Sequence, residues 1–179
     1  MSNFKIFSAF CVLICFTGCV SIKPGGVKSG KKLVETFYVG EEGSQFFIKP
    51  LAFYNIQSKE EKIIIDFTFR YKNEVKDSVI ANFSLQSSTI FKSIDSLSLS
   101  NISNKIISLD IRLMFNETRK GLFDSRFTTK FSLLEFKEMF KNNDWTIKVY
   151  QENDCNTYVS QKKTKKTIKI IQDNVFILM

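Results

Sequence analysis

The chain has 179 residues, with 26 Lys and Arg against 18 Asp and Glu, and a formal net charge of +8. Hydrophobic residues make up 44% of it, which excludes an intrinsically disordered chain, and the length limits it to one domain with or without a tether. Histidine is absent, so histidine-based catalytic triads, zinc sites with histidine ligands and imidazole pH switches are excluded.

The first residues have the layout of a cleaved export signal. Lys5 and the amino terminus supply positive charge, and residues 6–16 form an apolar run interrupted only by Ser8. This run is shorter than the about 20 apolar residues that a membrane-spanning helix needs. It has the length of the hydrophobic region of a signal peptide. The alternatives are an ordinary signal peptide cut nearby and a retained membrane anchor.

Small residues directly precede a cysteine after this run, in the order Phe16-Thr17-Gly18-Cys19. Here the chain resembles a bacterial lipoprotein, and the resemblance covers the signal region alone. It implies that residues 1–18 are a lipoprotein signal peptide and that cleavage occurs before Cys19. It also implies that Cys19 is the lipidation site, with a diacylglyceryl thioether on its sulfur and an acylated amino terminus. Such an anchor would attach the protein stably to a membrane.

The residues after Cys19 bear on which membrane holds the anchor. Acidic residues are missing until Glu35, so neither the Asp that retains some lipoproteins in the inner membrane nor the acidic cluster that exports others is present. The resemblance therefore implies an outer-membrane anchor with the domain facing the periplasm. Cys155 would be the one cysteine left unmodified after processing, so an intramolecular disulfide is not expected.

Residues 19–33 are predicted to be a flexible basic tether, because they combine one proline and three glycines with four lysines. The lysines could touch anionic lipid head groups, and plain solubility is the alternative interpretation. Residues 34–179 are expected to form one β-rich domain.

The dominant hydrophobic period from Val34 onward is two, which is typical of half-buried antiparallel strands. In residues 62–72 the alternation places apolar side chains inward and Asp66 and Arg70 outward. Residues 105–115 are predicted as a similar strand, with Asp110 and Arg112 outward and an inward set of Ile107, Leu109, Ile111, Leu113 and Phe115. Further strands are predicted at residues 34–39, 45–56, 79–85, 96–101, 123–131, 145–149, 156–162 and 167–171.

One segment has a helical pattern instead. Ser132 and Glu135 have the spacing of a capping box, and Phe136, Met139 and Phe140 follow at helical spacing. The sequence therefore predicts one short α-helix at about 132–142, filling the core between strands. The fold class is mainly β, with a single antiparallel β-sandwich-like domain. A strongly curved sheet wrapped on the helix is the alternative.

The densest charge feature is a lysine-rich stretch near the carboxyl end, predicted as a hairpin. Its candidate contact residues are Lys162, Lys163, Lys165, Lys166 and Lys169. They would suit an anionic lipid, lipopolysaccharide or an acidic partner, and a solvated hairpin tip is the alternative. The apolar end, Val175–Met179, is predicted to be a final strand, and the serine-faced strand at Ser96–Ser100 could pair with another chain.

The sequence contains only weak candidates for a catalytic site. The S-x-x-K pattern at Ser160-Lys163 lacks the companion motifs of penicillin-binding enzymes, and the acidic pairs Glu41-Glu42 and Glu60-Glu61 lie in predicted turns. P-loop, dinucleotide-binding and CxxC motifs are missing from the sequence, so no cofactor or metal is predicted. Cys155 is expected to be a tolerated thiol.

The sequence therefore favours a membrane-tethered, non-enzymatic binding or assembly lipoprotein of the bacterial envelope. Its partners would be the membrane, through acylated Cys19, and an envelope protein, with no nucleic acid. The alternatives are an inhibitor or immunity lipoprotein, an enzyme of unrecognised type, and a lipoprotein that binds a glycan or lipid. The last would need a groove of exposed aromatic residues, with candidates at Phe37, Tyr38, Tyr54 and Tyr158.

Overall fold

The computed structural model describes residues 33–72 and 78–179. Residues 33–179 form one compact unit. Its strands are β1 (Val34–Tyr38), β2 (Ser44–Asn55), β3 (Lys62–Tyr71), β4 (Ser78–Ser87), β5 (Ser96–Ser100), β6 (Lys105–Ser108), β7 (Arg112–Arg119), β8 (Leu122–Ser132), β9 (Thr146–Gln151) and β10 (Asp154–Ser160). Its helices are α1 (Leu133–Met139) and α2 (Lys162–Asn174), and short 3₁₀ turns occupy Gly40–Glu42 and Phe176–Leu178.

All ten strands belong to one antiparallel sheet, in the order β6-β5-β9-β10-β2-β3-β4-β8-β7, with β1 paired to β2. The sheet curls until β6, at one end, reaches the core face of β8, near the other end. There the Ser108 hydroxyl hydrogen-bonds the Thr129 hydroxyl, which in turn donates to the carbonyl oxygen of Asp110. The mainly β, antiparallel, sandwich-like fold is confirmed, and one curled sheet forms it.

The core is built from aromatic side chains, as the composition with 19 Phe suggests. Phe136 of α1 is fully buried at the centre. Its ring centroid lies 4.5–6.3 Å from those of Phe67, Phe69, Phe140, Trp145 and Phe176. Helix α1 therefore fills the space inside the curled sheet, which is the role that the sequence predicts for it.

The capping signal of α1 is correct in position and incomplete in detail. Ser132 is the N-cap residue, but its side chain makes no capping hydrogen bond. The other end of the helix is satisfied by side chains from elsewhere. Asn101 Nδ2 and Trp145 Nε1 donate to the Met139 carbonyl oxygen at 2.8 and 3.0 Å, and Asn104 Nδ2 donates to that of Glu138 at 3.0 Å.

One edge of β2 is shared end to end by two strands. Strand β1 pairs with Ser44–Ile48, β10 pairs with Phe53–Asn55, and β3 occupies the opposite edge. Pro50, which has no N–H to donate, lies in the gap between them, where the pairing with β3 also shifts register. Within this gap, Thr164 Oγ1 of α2 donates a hydrogen bond to the Ala52 carbonyl oxygen at 2.7 Å.

The predicted strand at residues 105–115 is wrong in its continuity and in its inward face. The chain forms two strands, β6 and β7, joined by a turn at 109–111. Most of the predicted inward set is exposed: Ile107 by 54%, Leu109 by 75%, Leu113 by 41% and Phe115 by 43%. Ile106 and Ser108 are buried instead. A β-bulge between Leu113 and Phe115 shifts the later residues to the other face.

The carboxyl-terminal predictions are corrected in the same way. The predicted strand at 167–171 and the lysine-rich hairpin are both replaced by a second helix, α2, because Thr164, Ile168 and Ile171 share one buried face at helical spacing. Val175 and Phe176 are buried as expected, but in a 3₁₀ turn and not in a final strand. Strand β5 lies between β6 and β9 with Leu97, Ser98 and Leu99 buried, so it does not offer the predicted free edge.

Candidate functional site

Helix α2 carries all five residues of the predicted basic patch on its outer side. At 100° per residue they occupy an arc of about 160°, with the buried residues on the remaining side. We call this arc the lysine face: Lys162, Lys163, Lys165, Lys166 and Lys169. Lys162, Lys163, Lys166 and Lys169 are exposed, whereas Lys165 is half-buried and pairs with Asp144 at 2.7 Å.

The lysine face is concentrated at the amino-terminal end of the helix. The first turn contains no acidic residue, although this end of a helix dipole already carries partial positive charge. Asp144 is the one carboxylate of the described residues that forms an ion pair with the lysine face. The hydrogen bond from Lys165 lowers the pKa of Asp144, and the charge of Lys165 and a hydrogen bond from Ser160 add to the effect. The remaining lysines create a positive surface that favours an anionic partner.

The lysine face lies beside the point where the chain enters the domain. The Leu33 carbonyl oxygen accepts a hydrogen bond from the Lys49 backbone N–H, and Thr164 is bonded to Ala52. Lys49 and Ala52 are three residues apart on β2, which corresponds to about 10 Å. The chain entry at Leu33 and the start of α2 therefore lie on the same edge of β2, in the gap between β1 and β10. Cys19 and the predicted tether lie outside the described residues, and their roles stay predictions.

The outer face of β3, β4 and β8 carries a second polar cluster. Arg126 donates to Asp66 Oδ1 at 2.7 Å and to Ser84 Oγ at 3.2 Å, while Asn82 Nδ2 donates to Asp66 Oδ2 at 3.2 Å. Asp66 faces away from the core, as predicted, but its side chain is only 6% exposed. Because both carboxylate oxygens of Asp66 are engaged, the cluster ties three strands together.

The candidate catalytic residues also have structural partners. The Ser160 hydroxyl accepts from the Trp145 backbone N–H and donates to Asp144, while Lys163 is exposed to solvent. One carboxylate oxygen of Glu61 accepts from the hydroxyls of Ser87 and Ser88. Within residues 33–72 and 78–179, no three carboxylate or thiol side chains come close enough to hold a metal ion.

The aromatic residues proposed for a ligand groove do not come together. Phe37 and Tyr38 are 54% and 78% exposed on β1, but Tyr158 is only 1% exposed in the core and Tyr54 is half-buried. Burial, together with the nearby charge of Glu61, raises the pKa of Tyr158 to about 12. Cys155 is exposed in the described structure.

Strand β7 is the surface feature that the sequence analysis missed. It lies at the end of the sheet, and Leu113, Met114 and Phe115 are 41%, 52% and 43% exposed on it. The apolar alternation in residues 105–115 predicts burial, and a sequence pattern does not reveal that the strand is an edge. The exposed positions could have been suspected only from the charged residues that flank them.

Comparison of the chain with protein-family models, with curated protein sequences and with solved structures found no match. None of the helices in the described part of the chain is long and apolar enough to cross a membrane.

Proposed function

We propose that the protein is a membrane-tethered, non-enzymatic binding or assembly module of the bacterial cell envelope. Acylated Cys19 anchors it, residues 19–33 act as a tether, and the domain faces the periplasm from the outer membrane. The observation that carries the proposal is the apolar run at residues 6–16 followed by Thr17-Gly18-Cys19. An exported chain with this junction is a substrate for lipidation, and its acyl chains give lasting attachment.

The arrangement of the domain supports a membrane-facing role for the lysine face. It begins on the same edge of β2 as the chain entry at Leu33, and the preceding residues 20–32 contribute four further lysines. A tethered domain keeps its entry point near the bilayer, so both groups of lysines lie within reach of head groups. Each lysine near an anionic surface contributes about 1 kcal/mol, and several together orient the domain. The rest of the surface stays free for an envelope protein partner.

The anchor is tested by expressing the full chain in a Gram-negative host with a clickable fatty acid. We expect label on the parent chain, located by mass spectrometry at the Cys19 peptide, and no label on Cys19→Ser. The parent should fractionate with the outer membrane and resist extraction by salt. An unmodified amino terminus, or equal labelling of the Cys19→Ser variant, would contradict the lipoprotein assignment.

The lysine face is tested separately on the anchored chain, with a photo-crosslinkable anionic phospholipid in the membrane. Changing Lys162, Lys163, Lys166 and Lys169 to Gln should reduce crosslinking to the domain several-fold. The matched control changes four exposed lysines elsewhere, Lys59, Lys92, Lys105 and Lys130, to Gln and should crosslink like the parent. Equal loss in both variants would mean that net charge, and not this face, sets the contact.

The assembly role is tested by crosslinking intact membranes and identifying the proteins that co-purify with the full chain. We expect a fixed set of envelope proteins, lost in the Cys19→Ser variant because the domain is no longer held at the membrane. If the parent chain is acylated at Cys19 and no fixed set of proteins co-purifies with it, the protein would be assigned to ligand binding and not to protein assembly.

A further inference from the structure

Strand β7 has an open edge and an exposed surface. It pairs with β8, and no other strand of residues 33–72 and 78–179 pairs with it. Its apolar centre of Leu113, Met114 and Phe115 is between 41% and 52% exposed. An open edge of this kind presents unpaired backbone N–H and C=O groups that can form a ladder with another strand.

Each end of β7 carries an ion pair with the same order of charges, and the acid of the first pair, Asp110, lies in the turn before the strand. Arg112 Nη2 lies 3.2 Å from Asp110 Oδ2, and Arg119 Nε lies 2.6 Å from Glu117 Oε1. Along the chain the charges therefore read negative, positive, apolar centre, negative, positive. Reversing the direction of this series places each charge opposite one of the other sign.

The bulge brings these charges to one face of the sheet. In an unbroken strand Arg112 and Glu117, five residues apart, would point to opposite faces. The shift between Leu113 and Phe115 instead places Arg112 opposite Thr128 of β8 and Glu117 opposite Asp124. Thr128 and Asp124 are four residues apart on a regular strand, so both charged residues share the outer face. Arg119, opposite Leu122, joins them.

From this geometry we propose that β7 pairs antiparallel with β7 of a second copy of this chain, about a two-fold axis perpendicular to the sheet. Such an axis keeps the outer face of both copies on the same side. With Met114 opposite Phe115 at the axis, Arg112 lies opposite Glu117, and Asp110, in the turn before β7, comes level with Arg119, each twice. A shift by two residues would instead oppose Arg112 to Arg119, so the charges select this register. The proposal does not depend on the proposed membrane anchor.

The contact is isologous, because the same edge serves on both copies, and it closes after two chains. In the pair, the open edge of each β7 is occupied by the other β7, which also lies beside the apolar centre and reduces its exposure. Edge strands that carry charge usually resist pairing. In β7 the charges deter strands of any other pattern and match only a reversed copy of their own, which gives the pairing its specificity.

The test uses full chains with two different carboxyl-terminal tags, co-expressed and purified through one tag. The acidic-edge variant is Arg112→Glu/Arg119→Glu, and the basic-edge variant is Asp110→Lys/Glu117→Lys. The parent tags should co-purify, and each edge variant should lose co-purification with itself by about tenfold or more, since four attractive cross-strand pairs become repulsive. Mixing acidic-edge with basic-edge chains should restore it.

The matched control is Lys59→Glu/Lys92→Glu, which makes the same change of net charge as the acidic-edge variant on exposed residues outside β7 and should behave like the parent. The proposal is overturned if the parent tags do not co-purify, if each edge variant still binds itself, or if the mixed edge variants fail to bind. Circular dichroism spectra that match the parent's would show that the edge variants retain the fold.

The register is tested by disulfide trapping of the full chains with an added mild oxidant, with Cys155→Ser in both chains. Leu113→Cys in one tagged chain should crosslink to Asn116→Cys in the other, because these positions face each other in the proposed pairing. Leu113→Cys in both chains should crosslink several-fold less, since the two sulfurs would start about 10 Å apart along the strand. Chains without introduced cysteines set the background. Equal yields from the two combinations would overturn the register.

Discussion

The Asp66–Arg126 pair shows at the scale of single residues how the outer face of the sheet tolerates charge. The two side chains are 6% and 25% exposed, and they join β3 to β8 across β4. We expect Arg126→Met to lower the free energy of unfolding by about 3 kcal/mol, because it leaves a buried carboxylate with Asn82 as its remaining partner. Denaturant unfolding of the parent and the variant measures the difference.

An exposed ion pair provides the control for this prediction. Lys141→Met breaks the pair between Lys141 and Glu138, whose side chains are 65% and 37% exposed, and should change the free energy of unfolding by less than about 1 kcal/mol. Equal losses in the two variants would mean that burial does not determine the strength of the Asp66 contact. The double variant Asp66→Asn/Arg126→Met should recover part of the loss, since no unpaired charge remains.

Tyr158 predicts a dependence of stability on alkaline pH. Its pKa is raised from 10.0 to about 12, first by burial and then by the charge of Glu61, while a hydrogen bond from Asn55 acts in the opposite direction. The unfolded chain therefore releases this proton before the folded chain does. The contribution to stability is complete below pH 10 and is lost as the pH rises toward 12, by up to about 3 kcal/mol.

The variant Tyr158→Phe removes this titration, so its free energy of unfolding should fall less steeply than that of the parent over the same pH range. Tyr38→Phe, at a residue that is 78% exposed, should follow the parent. Parallel denaturant unfolding curves across the range measure the slopes. If Tyr158→Phe retained the parent's slope, the buried hydroxyl would not be its source.

At the scale of secondary-structure elements, α1 is held in place by its packing. Phe136 is fully buried among five aromatic rings, and Leu134 of the same helix is 72% exposed. We expect Phe136→Ala to lower the free energy of unfolding by about 3–5 kcal/mol through lost contacts and a cavity. Leu134→Ala should change it by less than about 0.5 kcal/mol. Thermal and denaturant unfolding of both variants measure these losses. Similar losses of unfolding free energy in the two variants would contradict the packing argument.

The elements differ in how well the sequence predicts them, for identifiable reasons. Strand β3 and helix α1 were predicted because their apolar residues follow a single period. In each of them one face lies in the core along the whole element, and the other face does not. Helix α2 was missed because Thr164, which is polar, completes its buried face, and the adjacent Ile170 and Ile171 also suit a strand. Strands β6 and β7 were merged because the apolar alternation continues through the turn at 109–111 and conceals the bulge.

The candidate surfaces also combine features that a local sequence pattern predicts with features that depend on distant contacts. Four of the five lysines in the predicted basic contact patch are exposed on α2, because five lysines within eight residues cannot all be buried. Their common face and their position beside Leu33 depend on contacts with β2 that lie more than a hundred residues away along the chain. The self-complementary edge of β7 depends on a register shift with β8, which no local pattern specifies.

At the scale of the whole molecule, the curl of the sheet is fastened where β6 meets β8. Thr129 bonds the Ser108 hydroxyl and the Asp110 carbonyl oxygen, and both hydroxyl-bearing residues are buried. Thr129→Val keeps the shape and leaves these groups without their partner, so the free energy of unfolding should fall by about 1–3 kcal/mol. Hydrogen exchange should accelerate in β5 and β6, which lose their contact with the far end of the sheet.

Thr128→Val is the control, because Thr128 lies next along β8 on the outer face and is only half-buried. It should leave exchange in β5 and β6 unchanged. Faster exchange that is spread evenly over all strands in the Thr129→Val variant would mean that the contact stabilises the whole fold and does not act as a local fastening.

The shared edge of β2 has a consequence for how quickly the protein folds. Strands β2, β3 and β4 are consecutive neighbours and form from local contacts, but β10 joins β2 through Tyr158 opposite Asn55, 103 positions apart (158 minus 55). The chain must lose the entropy of closing this long loop before the pairing of β10 with β2 stabilises the fold. Sheets with such distant pairings therefore fold slowly, on the scale of milliseconds to seconds. A chain that stays unfolded for that long remains threadable through a translocation pore, which suits the exported lipoprotein proposed above.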